Sequence, residues 1–144
     1  MIDLNAWRDP ESLVDSLYAA RRGDRRDLAP QVTALLDHEE PIIREEAASL
    51  LLAKWKTTSL RERAVTMLDS DPDVGVRCRV AVGLASVSTR TTRNEDLRLL
   101  RTVLGDSLEE LQVRRSVCEA LCLLLNRRRA TDNGGIRPRF AARR

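Results

Sequence analysis

Apolar positions recur along this chain at the spacing of a helix face, and three sets of them keep the same register. Ile43, Ala47, Leu50, Leu51 and Lys54 align with Val76, Val80, Gly83, Leu84 and Val87, and again with Val113, Val117, Ala120, Leu121 and Leu124. Steps of i, i+4, i+7, i+8 and i+11 put each set on one wide face of a 3.6-residue helix. Lys54 is the polar member, at a helix end where its stem can lie on apolar surface while the ammonium reaches water. Shorter segments precede them, roughly Leu28 to Leu36, Leu60 to Leu68 and Asp96 to Leu104. Their stripes are Val32, Leu35, Leu36; Ala64, Met67, Leu68; and Leu100, Val103, Leu104. No strand alternation interrupts them. The pattern predicts three helix pairs, each a leading and a trailing helix.

Punctuation supports the same elements. Asp9, Pro10 and Gly23 suit the cap, the first turn and the C′ position of a first helix carrying Leu13, Val14 and Leu17. That helix has no partner in the repeat and reads as a terminal cap. Ser59 with Glu62, Thr92 with Glu95, and Ser107 with Glu110 have capping-box spacing. The aliphatic-Arg pairs at Arg44, Arg77 and Arg114 recur after 33 and then 37 residues (77 − 44 and 114 − 77). A helical unit that recurs at this period buries its face by stacking on its neighbours. The expected fold is therefore all-α, an α-solenoid of about three helix pairs with an N-terminal capping helix.

The turn acid followed by an aliphatic-Arg pair resembles HEAT repeats, in particular the short bacterial HEAT-like repeats of the lyase-associated type. The residues that carry the resemblance are Asp37 with Ile43-Arg44, Asp69 with Val76-Arg77, and Asp106 with Val113-Arg114. It covers about Leu28 to Asn126. It implies a right-handed solenoid in which the turn Asp and helix Arg form a structural ladder, and in which trailing helices line the concave face. Residues just after each repeat Arg are then expected on that face: Glu45, Glu46 and Ser49; Cys78, Arg79 and Val82; Arg115, Ser116 and Glu119. Along this order the groove should shift from acidic to basic, and a polarised groove can orient an elongated partner.

Charge divides the chain at Asn126. Residues 126–144 hold seven arginines and one acid, a net of +6, so the other residues carry 3 − 6 = −3. The periodic pattern stops at Arg127, which sets a repeat domain over 1–126 and a basic tail over 127–144, expected to be disordered. Arg127, Arg128, Arg129, Arg137, Arg139, Arg143 and Arg144 are the residues through which such a tail would grip nucleic acid. The N-terminal residues resemble no secretory signal, and the apolar runs are too short for a bilayer. A cytoplasmic chain with reduced Cys78, Cys118 and Cys122 is expected.

Candidate chemistry is sparse. Cys118 and Cys122 share a helix face, but Cys118 aligns with Ala48 and Ala81 and reads as a small buried residue. His38 is the lone histidine. HEAT-like di-iron hydroxylases hold their metals with several His-Glu pairs, and only His38-Glu39 is present here. No phosphate-binding loop or nucleophilic triad can be assembled. No metal, cofactor or catalytic residue is expected. Trp55, at a trailing-helix end, is a candidate interface anchor, as is Trp7. The sequence reads as a non-catalytic scaffold or adaptor that binds a protein partner through its concave face, of immunity, secretion-associated or regulatory type. The alternative is a nucleic-acid-binding accessory protein using the tail. No membrane contact is expected. Homo-oligomerisation through the last helix pair stays open, because its outer edge has no capping helix.

Overall fold

A computed structural model describes residues 9–132. Every regular element in them is helical, and no strand is present among the described residues. Helix α1 spans Pro10–Arg22. The Asp9 carboxylate accepts from the Ser12 N–H at 3.2 Å, and Leu13, Leu17 and Ala20 are buried. The expected Gly23 C′ residue is displaced by one position. Gly23 has φ −84°, and Asp24 takes the left-handed conformation at φ 46°. The Arg25 N–H then donates to the Ala20 carbonyl and the Asp24 N–H to that of Arg21. This is the Schellman arrangement, with an aspartate where glycine would be less strained.

The leading helices are α2 (Ala29–Ala34), α4 (Arg61–Ser70) and α6 (Arg93–Gly105), with short 3-10 turns on both sides of α2 and before α4. Trailing helices are α3 (Pro41–Ala48), α5 (Val74–Val87) and α7 (Leu111–Asp132). A π-helical stretch, Ser49–Lys54, continues α3. The trailing apolar sets are buried throughout, with Lys54 alone exposed. Among the leading stripes, Val103 and Leu104 are half-buried and pack against the core. Helix α5 packs on α3, on the π stretch, on α4 and on α7, so it is the centre of the core. Helix α1 packs on α3, and α6 on α7. At Gly83 an added Cβ would lie 2.7 Å from Leu52 Cβ, so only glycine lets α5 come this close to the π stretch.

None of the expected capping boxes forms. Ser59 lies inside the 3-10 turn Thr58–Leu60, and α4 begins after Leu60 without a side-chain cap. The Thr92 hydroxyl accepts from the Thr89 N–H instead of capping α6, and Ser107 lies in the turn before α7. The chain spends these residues on tight turns, which satisfy the same polar groups locally. Asp73 does cap α5, accepting from the Val76 N–H at 3.0 Å. Helix α7 also continues past Asn126, where the repeat pattern ends, to Asp132.

The arginine ladder exists with different acids. Arg44 forks onto Asp71 at 2.9 and 3.0 Å and donates to the His38 carbonyl. Arg77 donates to Glu109 at 2.9 Å and to the Asp71 carbonyl. Each thus holds the carbonyl six residues before it and a carboxylate from the turn between the following leading and trailing helices. Arg114 donates to the Leu104 carbonyl. Asp37 pairs with Arg63, Asp106 accepts from the Leu108 N–H within its own turn, and Asp69 is exposed. A bidentate, largely buried guanidinium fork is among the stronger polar contacts a protein makes. Donating to the Asp71 carboxylate holds the Arg44 guanidinium pKa above its ordinary value.

Candidate functional site

Three trailing elements enclose one groove of about 320 Å³. α3 and its π continuation supply Glu45, Ser49 and Ala53. Gly75, Cys78, Arg79 and Val82 come from α5, and Gln112, Ser116 and Glu119 from α7. Of the residues expected on a shared face, Glu45, Ser49, Cys78, Arg79, Val82, Ser116 and Glu119 come together here. Gly75 admits the acid at the rim, since an added Cβ would lie 2.9 Å from Glu45 Oε2. Arg79 Nε donates to Glu45 Oε1 at 3.0 Å, with Arg79 half-exposed.

Two of the expected residues lie elsewhere. Glu46 is buried and accepts from the Tyr18 hydroxyl at 3.3 Å, which ties α3 to α1. One residue beyond Glu45 on a helix is a rotation of roughly 100°, enough to move a side chain from the groove toward the core. Arg115 is exposed on α7 and does not line the groove. The expected acidic-to-basic gradient is therefore absent. Glu45 and Arg79 offset each other, and Glu119 leaves the lining with one carboxylate in excess. Ser49 lines the groove and accepts from Arg21 at 2.7 Å, so α1 also fixes the groove wall.

Trp55 is 5% exposed and belongs to the core, so it offers no anchor at the surface. Trp7 lies outside the described residues. Cys118 and Cys122 are exposed, contrary to the buried role expected for Cys118, while Cys78 is half-buried in the groove. The equivalents of Cys118, Ala48 and Ala81, are fully buried. Among the described residues no group of three or more His, Cys, Asp or Glu side chains could hold a metal ion. His38 Nδ1 accepts from the Glu40 N–H in the turn before α3. Arg127, Arg128 and Arg129 lie in the last turns of α7, and Arg127 donates to the Ala85 carbonyl at 2.8 Å. Arg137, Arg139, Arg143 and Arg144 lie outside the described residues.

A second concavity of about 460 Å³ lies around His38, Arg44, Arg63 and Asp71. Its guanidiniums are engaged by Asp71 and Asp37. Sequence reasoning also missed a buried network. Asp96 is 0% exposed and accepts two hydrogen bonds from Arg61, at 2.9 and 2.6 Å, and one from the Ser88 hydroxyl at 2.5 Å. The bond to Asp96 raises the Arg61 pKa. Every strong donor and acceptor in this network faces another, so it joins α4, α6 and the end of α5.

Among the described residues no helix is long and apolar enough to cross a membrane. Comparison with family models, with curated proteins and with solved structures found no match.

Proposed function

We propose that this protein is a non-catalytic scaffold of HEAT-like helix pairs, capped by α1, that binds a protein partner through the groove between its trailing helices. The observation that carries the reading is the convergence of Glu45, Ser49, Arg79, Val82, Ser116 and Glu119 on one concavity. Ser49, Val82 and Glu119 occupy matching positions on three successive trailing elements, and Arg79 matches Ser116 on two of them. The repeated arginine ladder supports the solenoid part of the reading, because Arg44 and Arg77 make the same pair of contacts one repeat apart. A groove floored by Ala53 and Val82, with an excess carboxylate at Glu119, suits a helix or extended peptide that offers a cationic side chain beside small apolar ones.

The test is a native pull-down with the full chain and with Glu119→Arg and Ser116→Arg variants. A partner captured by the parent and lost by both variants, with unchanged melting temperature, is the expected result. Retention by both variants overturns the groove assignment. The nucleic-acid reading rests on the charge of residues 126–144. It predicts oligonucleotide binding that falls steeply with salt, whereas the groove reading predicts none.

A further inference from the structure

Positions buried in the first two trailing elements are bare on the third. Ala48 and Ala81 are fully buried, as are Leu52 and Ala85, yet their equivalents on α7, Cys118 and Cys122, are exposed. Leu111 at 58% and Leu125 at 38% exposure extend the same line. With Arg115 and Arg129 the stripe reads Leu111, Arg115, Cys118, Cys122, Leu125, Arg129, alternating steps of four and three along one helix face. That is the seam spacing of paired helices. On α5 the positions that correspond to Cys118 and Cys122, Ala81 and Ala85, are buried in a core in which α5 packs against α7, so the centre of the stripe matches a helix of the trailing type.

We propose that this face of α7 pairs with the same face of a second copy of the chain, as an antiparallel two-fold dimer. At the opposite end of the described helices α1 packs on α3, and no exposed stripe there repeats the α7 spacing among the described residues. Head-to-tail stacking is thereby blocked, and a two-fold contact is the one that closes. The stripe is also self-complementary. Its members stand symmetrically about Ala120: Cys118 against Cys122, Arg115 against Leu125, Leu111 against Arg129. Antiparallel pairing therefore lays each arginine stem over a leucine of the other copy and never sets guanidinium against guanidinium. Residues 133–144 are a poor alternative occupant, since they carry four arginines and no acid and would meet Arg115 and Arg129. No residue of the stripe lines the groove, so this inference stands or falls apart from the partner reading.

Sedimentation of the full chain across a concentration series, under reducing conditions, is expected to show a monomer–dimer equilibrium. Leu125→Arg places two guanidiniums together and should give a monomer with an unchanged circular dichroism spectrum. Geometry is read by thiol pairing. Cys78→Ser/Cys122→Ser and Cys78→Ser/Cys118→Ser each keep one thiol of the stripe. Oxidation by diamide, which takes up the two electrons and two protons released as the S–S bond forms, should cross-link a mixture of the two well and either alone poorly. A monomer at every concentration, a dimer that survives Leu125→Arg, or like-with-like cross-linking that exceeds the mixture would each overturn the proposal.

Discussion

Asp96 has no access to water, and its charge is held by Arg61 and the Ser88 hydroxyl. Removing one member of such a pair strands the other, which typically costs about 3–5 kcal/mol, while replacing both with apolar groups is often neutral. Asp96→Ala should therefore cost about 3–5 kcal/mol in urea unfolding, and Arg61→Met with Asp96→Leu should recover most of it. If the single and double variants unfold alike, the network does not anchor the leading helices. The raised pKa of Arg61 sets the sign of its pH dependence. Its stabilising contribution is complete below the ordinary arginine range and is lost only above it, so this half of the pair stays constant through neutral and mildly alkaline pH. Sequence gives one hint of the network. Asp96 stands four residues before Leu100, on the buried side of its helix, but its partner is 35 residues away along the chain and no periodicity connects them.

At the scale of elements, helix faces are legible and helix ends are less so. Burial follows the trailing apolar sets because many side chains vote for one direction. A cap depends on a single turn, and the three capping boxes fail because their hydroxyl residues lie in turns or bond within them. The end of α1 is informative in the same way: Asp24, not Gly23, reverses the chain. Asp24→Gly should raise stability by roughly 0.5 kcal/mol, the relief of left-handed strain exceeding the entropy that glycine adds to the unfolded chain. A fall in melting temperature would show that the aspartate is not strained there. Gly83→Ala tests the contact of α5 with the π stretch. Alanine favours a helix by about 1 kcal/mol, but overpacking against Leu52 costs about 1–3 kcal/mol. A net loss of stability is expected, and a gain would mean that Leu52 yields freely.

For the whole molecule, Arg44 and Arg77 tie the start of one helix to a turn further along the chain. Arg77 joins the Asp71 carbonyl to Glu109 and is largely buried. Arg77→Ala should cost about 1–3 kcal/mol, with amide exchange rising more in α6 and α7 than in α3. Uniform acceleration would argue against a repeat-by-repeat coupling. The groove was largely readable because repeat register assigns whole faces. Its exceptions are Glu46, turned toward the core, and Arg115, turned out along α7. The exposure of Cys118 was not readable: an internal helix and a terminal one share a sequence pattern, and what covers the outer face is a matter of position in the row.

The differing ends also give the molecule a direction of growth. On the solenoid reading proposed above, a duplicated helix pair inserted after α7, with Leu111 and Leu125 matched in register, would compete with the second copy for the exposed stripe. The same addition ahead of α3 would first have to displace α1 and break the Tyr18–Glu46 and Arg21–Ser49 contacts. On that solenoid reading, lengthening after α7 would thus trade one partner for another, whereas lengthening ahead of α3 would cost contacts the chain already makes.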